Sequence, residues 1–295
     1  MANIGLIDVD GHNFPNLPLM KISAYHKQMG DDVEWWLPLN HYDKVYISKV
    51  FTFTPDIETC INADEVVYGG TGYGLKNNLP NEIEHMYPDY SLYPETKNTA
   101  YGFLTRGCPR GCPFCIVAEK EGKKSVKVAD LNEFWDGQKN IKLLDPNLLA
   151  CKEHEELLQQ LINSGAYVDF TQGIDARLVN DRNIELLKKI KVKMIHFAWD
   201  NPADDMVDTF RYIKSKLGID SRRMRVYVLT NYWSTHEQDL YRVYKLRELG
   251  YDPYVMIYEK DTAPKNTRDL QRWVNNKFIF RSCERFEDYK SGGKK

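Results

Sequence analysis

The sequence predicts an α/β protein, a partial (β/α)6 TIM-like barrel preceded by a small α/β domain. Three observations carry this. Short apolar runs alternate with helical patterns along most of the chain, and Gly165 and Gly250 stand where helix C-terminal caps belong. A stretch rich in Pro, Asn, Tyr and Glu, residues 76–98, divides the alternation in two. The expected units are residues 1–96, including that linker, and 97–295, the barrel with a short C-terminal extension.

In the first unit, residues 4–9 read as a buried strand and 19–29 as an amphipathic helix closed by Gly30. Residues 33–37, 44–48 and 65–68 read as further strands. Strand–helix–strand order implies a parallel sheet. In the second unit, strands are predicted at 101–105, 141–144, 168–171, 194–199, 225–230 and 253–258. Helices are predicted at 127–135, 153–163, 180–188, 203–217 and 237–249. Six strand–helix units fit a partial barrel better than a closed one of eight. In such barrels chemistry gathers at the C-terminal strand ends.

With 295 residues and 42% hydrophobic content, the chain can build a sizeable core. A net charge of −2 gives no global reason to bind naked nucleic acid or an anionic membrane. No apolar run approaches the ~20 residues that span a bilayer, and the N-terminus lacks signal-peptide features. The expectation is a soluble, cytoplasmic protein with no membrane partner. The 19 Tyr and 6 Trp are explained by core packing, with pocket lining or radical transfer as the alternatives.

Three of the six cysteines, Cys108, Cys112 and Cys115, fall within eight positions as C-x3-C-x2-C. Thiolates are soft ligands suited to iron–sulfur clusters or zinc. A closed zinc site needs a fourth ligand, and the next candidates, Cys151 and His154, are distant in sequence. Three cysteines leave one iron of a four-iron cluster without a protein ligand. Cys60, Cys151 and Cys283 show no ligand spacing and read as buried structural thiols.

This motif, with Phe114 before the last cysteine, resembles the radical S-adenosylmethionine superfamily, by strand order as well as motif from about Thr99 onward. The resemblance implies a [4Fe-4S] cluster on Cys108, Cys112 and Cys115, with S-adenosylmethionine on the open iron. It implies reductive cleavage to a 5′-deoxyadenosyl radical that abstracts hydrogen from a substrate. An electron donor such as flavodoxin or ferredoxin is implied as partner. The substrate is left open among peptide, nucleotide, tRNA and small metabolite.

Further contacts follow from the same resemblance. Where many relatives carry Gly-Gly-Glu for the methionine amino group, this chain has Leu144-Asp145-Pro146-Asn147. Asp145 is the candidate acceptor, with an Asx turn as the alternative. The segment from Thr171 through Gln172 to Arg177 resembles one whose arginine meets the methionine carboxylate. A guanidinium fork suits that role. Asp200 matches an acidic residue used toward the ribose hydroxyls or the amino group, and it also suits a helix N-cap. Thr230 and Asn231 stand where relatives support the adenine.

Residues 1–96 resemble a shortened cobalamin-binding, Rossmann-like domain. Asp10-Gly11-His12 resembles the Asp-x-His that sets an imidazole on cobalt, but Pro15 replaces the usual glycine and one strand–helix unit is missing. The glycine-rich run from Gly69 to Gly74 opens no helix. The expectation is a cobalamin-free domain that helps close the active site. The alternatives are a cobalamin-dependent radical methylase and a non-catalytic iron–sulfur protein.

Overall fold

The computed structural model describes residues 1–11, 14–96 and 98–290. His12 of the Asp-Gly-His pattern lies outside them. The apolar runs fold as two parallel sheets.

The first holds β1 (Asn3–Asp8), β2 (Asp32–Trp35), β3 (Tyr42–Ser48) and β4 (Ala63–Gly69) in the order β2-β1-β3-β4. Helix α1 (Leu17–Gln28) connects β1 to β2 and begins on an Asn16 cap, whose side chain accepts from Leu19 N. Leu19 and Ile22 on α1 pack with Ile4 and Leu6 on one face of this sheet; Tyr42, Val45 and Ile47 form a separate cluster with Ile7. Residues 76–98 are not featureless. They hold the single-turn helix α2 (Asn81–Glu84) and two 3-10 turns, Tyr90–Leu92 and Pro94–Thr96.

The second sheet joins β5 (Thr99–Gly102), β8 (Asn140–Leu143), β9 (Tyr167–Phe170), β10 (Lys191–Ala198), β11 (Met224–Thr230) and β12 (Asp252–Ile257). Its spatial order is the chain order, every pairing is parallel, and β5 and β12 are its two edges. Helices α4 (His154–Ser164), α5 (Asp181–Leu187) and α6 (Val207–Leu217) bury one face of it in a core containing Ile141, Val168, Ile195 and Val226. Helix α7 (His236–Glu248) follows β11; α8 (Lys265–Asn275) and α9 (Lys277–Ser282) pack with Val255 in a smaller cluster beyond β12. Strand alternation turns Tyr101, Lys142, Asp169, His196, Tyr227 and Tyr254 to the other face. There the His196 ring stacks on Tyr227 at 5.1 Å.

Two expectations are corrected. The predicted helix at 127–135 is instead strand β7 (Val126–Lys127), which pairs antiparallel with β6 (Thr105–Arg106), followed by a 3-10 turn at Leu131–Glu133. Tertiary contacts override the helical pattern: Gln160 of α4 accepts from Leu131 N and donates to Asp130. The first strand of this sheet ends at Gly102 rather than 105, because Thr105 and Arg106 leave the sheet to make the β6–β7 pair. Among the described residues no helix is long and apolar enough to cross a membrane.

Candidate metal and cofactor site

The cysteine loop begins where the chain leaves β5. Asp145, just past the end of β8, takes hold of that exit. One carboxylate oxygen accepts from Leu104 N at 3.2 Å; the other accepts from Thr105 N at 2.5 Å and Thr105 Oγ1 at 2.7 Å. Two residues past Thr105, Gly107 sits at φ 83°, where a Cβ would come within 2.1 Å of Lys124 O. Only glycine fits there. Glu121 accepts from Gly107 N at 3.1 Å, and Cys108 N donates to Gly122 O at 3.1 Å, so the loop's two ends are tied together. Short helix α3 (Val117–Lys120) leads away from Cys115.

Cys108 and Cys112 are half-buried and Cys115 is exposed. Burial pushes the Cys112 and Cys115 thiols up, and the neighbouring Asp200 carboxylate and the other thiols add to it. A metal held by these thiolates would have to offset that upward shift. Among the described residues no three His, Cys, Asp or Glu side chains converge on a single ion. In a four-iron cluster each thiolate takes its own iron, so the sulfurs do not have to converge on one point. Three thiols on one glycine-shaped loop fit that donor set.

Around the loop, the β8, β9 and β10 ends supply a charged collar. Asn147 Nδ2 donates to Cys108 Sγ at 3.5 Å, while its buried Oδ1 has no hydrogen-bond partner. Asp175 lies between two arginines: Arg110 of the cysteine loop and Arg177, whose Nε is at 2.8 Å. Burial alone would raise Asp175; the two guanidiniums hold it below the usual carboxylate range. Arg177 also reaches Asp204 at 3.1 Å and contributes to the field at Cys112. Asp200 is pushed up to about 6 by burial, against the pull of Arg242 and Arg177.

An aromatic wall closes the far side. Phe114 packs edge-on against Tyr232 at 5.5 Å and Trp233 at 5.9 Å, and Tyr232 against Tyr258 at 4.8 Å. The wholly buried Arg242 of α7 fixes this side from below. It donates to Trp199 O at 2.6 Å, to Asp200 O and Leu229 O at 2.8 Å each, and pairs with Asp239 at 2.5 Å. It thereby clamps the ends of β10 and β11 together.

Of the residues picked from sequence, the cysteines, Phe114, Arg177 and Asp200 come together. Three others are placed differently. Asp145 is wholly inside and its oxygens are taken by Leu104 and Thr105, so it orders the loop rather than facing a ligand amine. Thr230 is fully buried and donates to Met256 O at 3.2 Å, turned into the sheet and away from the loop. Asn231 takes φ 62° and donates to Tyr258 O at 2.8 Å, a turn role. Gln172 is exposed. Asp200 caps no helix, since α6 starts at Val207 with Met206 before it. Sequence reasoning missed Asn147, Asp175 and Arg110, although all three lie inside segments that it marked. Nothing local marked Arg242.

In the first sheet, Asp10 accepts from Val50 N at 2.5 Å and Thr54 Oγ1 at 2.6 Å, so its carboxylate is committed to the loop after β3. The glycine-rich run has a packing cause: at Gly70, with φ 90°, a Cβ would lie 2.3 Å from Lys49 O. Cys151 is buried as expected of a structural thiol, but Cys60 is exposed and Cys283 only half-buried.

No protein-family model and no curated protein matches the chain. Among solved structures, it is similar to Streptococcus suis SuiB bound to S-adenosylmethionine, at 14% identity and a TM-score of 0.42. The match covers 70% of this chain and 52% of that one, about half its length.

Proposed function

We propose that this chain is a radical S-adenosylmethionine enzyme, with Cys108, Cys112 and Cys115 holding a [4Fe-4S] cluster and residues 97–295 forming a partial (β/α)6 barrel. The observation that carries this reading is the placement of the C-x3-C-x2-C loop. It follows β5, through the two-residue strand β6, at the edge of a sheet whose strands run in chain order; Arg177 and Asp200 lie close enough to act on Cys112, and Phe114 within the loop packs on Tyr232. A mere electron carrier has no use for that collar. Such a cluster, with S-adenosylmethionine bound, would supply the single electron that reductively cleaves a sulfonium.

The chain's own residues hold and shield. Arg177 presents a guanidinium already oriented by Asp175 and Asp204 toward an incoming carboxylate. Asp200 offers acceptor oxygens to a diol or an ammonium. Asn147 donates to the Cys108 sulfur, and a hydrogen bond to a ligand sulfur tunes a cluster's potential. Phe114, Tyr232 and Trp233 supply an apolar wall that excludes water from reactive carbon. Residues 1–96 form a separate domain that covers the barrel's open side without cobalamin. A soluble flavodoxin or ferredoxin in the cytoplasm is the electron source, and the substrate is an organic molecule bearing an abstractable hydrogen.

Anaerobic reconstitution with iron and sulfide tests this. The expected result is about four irons per chain in the wild type, lost in the triple Cys→Ala variant. Arg177→Ala and Asp200→Ala each weaken S-adenosylmethionine binding by roughly tenfold or more. A full four-iron complement in the triple variant, or wild-type affinity in both single variants, overturns the assignment.

A further inference from the structure

Between the two sheets lies a cavity of about 260 Å³ to which neither the cysteines nor the collar contributes a side chain. Its position follows from topology. The chain leaves β1 for β2 on one side and returns to lay β3 on the other, so the connections that follow these two paired strands run off in opposite directions. A crevice opens at such a switch point in parallel sheets. Ser48 at the end of β3, Gly70 just past β4, and the start of the twelve-residue helix α1 at Leu17 form one side. Phe103, Phe134 and Leu144 from the second sheet's edge form the other, with Val50 and Leu79 adding to the apolar lining.

The charges on this lining are all committed but one. Lys21 pairs with Glu84 at 3.0 Å, Arg106 with Glu121 at 3.1 Å and with Glu84 at 3.5 Å, and Glu133 with His85 at 2.7 Å. Lys120 is different. It is half-buried, forms no ion pair among the described residues, and has only the Thr71 hydroxyl as a hydrogen-bond partner. The nearby Glu121 is engaged by Arg106 and Gly107 N. A desolvated ammonium held on one neutral acceptor is costly unless an anion joins it. The α1 N-terminus adds positive potential to the same space.

We propose that this cavity is a binding site for a small carboxylic acid with an apolar body, its carboxylate on Lys120 and its body against Leu17, Phe134 and Leu144. The site is independent of the cysteine loop's chemistry, so it stands or falls separately from the radical enzyme reading.

The test uses the full-length chain and two fluorescent probes of similar shape, the anionic 8-anilinonaphthalene-1-sulfonate and the neutral N-phenyl-1-naphthylamine. The anionic probe binds saturably, at one site, to protein whose near-UV circular dichroism is native, and phenylacetate displaces it. Lys120→Met weakens the anionic probe by about tenfold or more while the neutral probe changes by less than about twofold. Lys120→Arg retains anion binding, which separates loss of charge from loss of fold. Ala129→Phe, which fills the cavity, weakens both probes. Anion binding that survives both Lys120→Met and Ala129→Phe, or that phenylacetate cannot displace, overturns the proposal.

Discussion

Replacing Asp145 with alanine probes how the cysteine loop is anchored, and the outcome depends on pH in a direction the structure fixes. Asp145 is wholly buried, and burial lifts its pKa from 3.8 to about 6 even though Leu104 and Thr105 donate to it. The unfolded chain releases this proton near 3.8, while the folded chain keeps it to about 6. Stability therefore falls as pH rises between those values, and the cost is fully present above them. A difference of about 2 units, at about 1.4 kcal/mol each, sets that cost near 3 kcal/mol. Asp145→Ala removes the titration but leaves the amides of Leu104 and Thr105 without an acceptor, at about 1–3 kcal/mol each. Against a protonated wild type the variant is thus weaker by about 2–6 kcal/mol. At pH 8 the wild type bears its own charge cost, and the deficit shrinks. Linkage puts the reduction between pH 5 and pH 8 at about 1–1.5 kcal/mol. Urea unfolding of both proteins at the two pH values measures it, and taking the difference cancels the parallel titration of Asp200. A deficit that stays constant or grows with pH would refute the reasoning, because the ionised carboxylate would then be the favoured form in the fold.

Two further outcomes are expected. Gly107→Ala places a Cβ 2.1 Å from Lys124 O in a left-handed conformation, so it should destabilise the chain by roughly 1–3 kcal/mol and lower reconstituted iron content; unchanged iron and thermal midpoint would show that the loop has another way to close. Arg242→Met leaves Asp239 buried without its partner and three carbonyls without their donor, at about 3–5 kcal/mol, and Asp239→Leu added to it should recover part of that loss; denaturation of the single and double variants decides.

The cysteine motif and the chain-order alternation were legible because both are local. The cysteine spacing is set within eight residues, and a strand's apolar run or a helix's period repeats within a dozen. The strands of the six-stranded sheet were accordingly placed within a few residues, and Arg177 and Asp200, which the family resemblance marked, lie close enough to Cys112 to act on it. The stretch at 127–135 misled because its helical period is real, yet pairing with Thr105–Arg106 and contacts from Gln160 determine its shape. Tertiary structure alone decided which polar groups at those strand ends meet the cysteine loop. Asp145 and Thr230 look the same in sequence as Asp200 and Asn147, but buried amides and carbonyls from distant strands need partners, and they take the side chains nearest to hand. Arg242 and Lys120 show the same division: sequence marks each only as a charged residue, and only the fold determines that the first clamps two strands while the second faces a cavity with no ion pair of its own among the described residues.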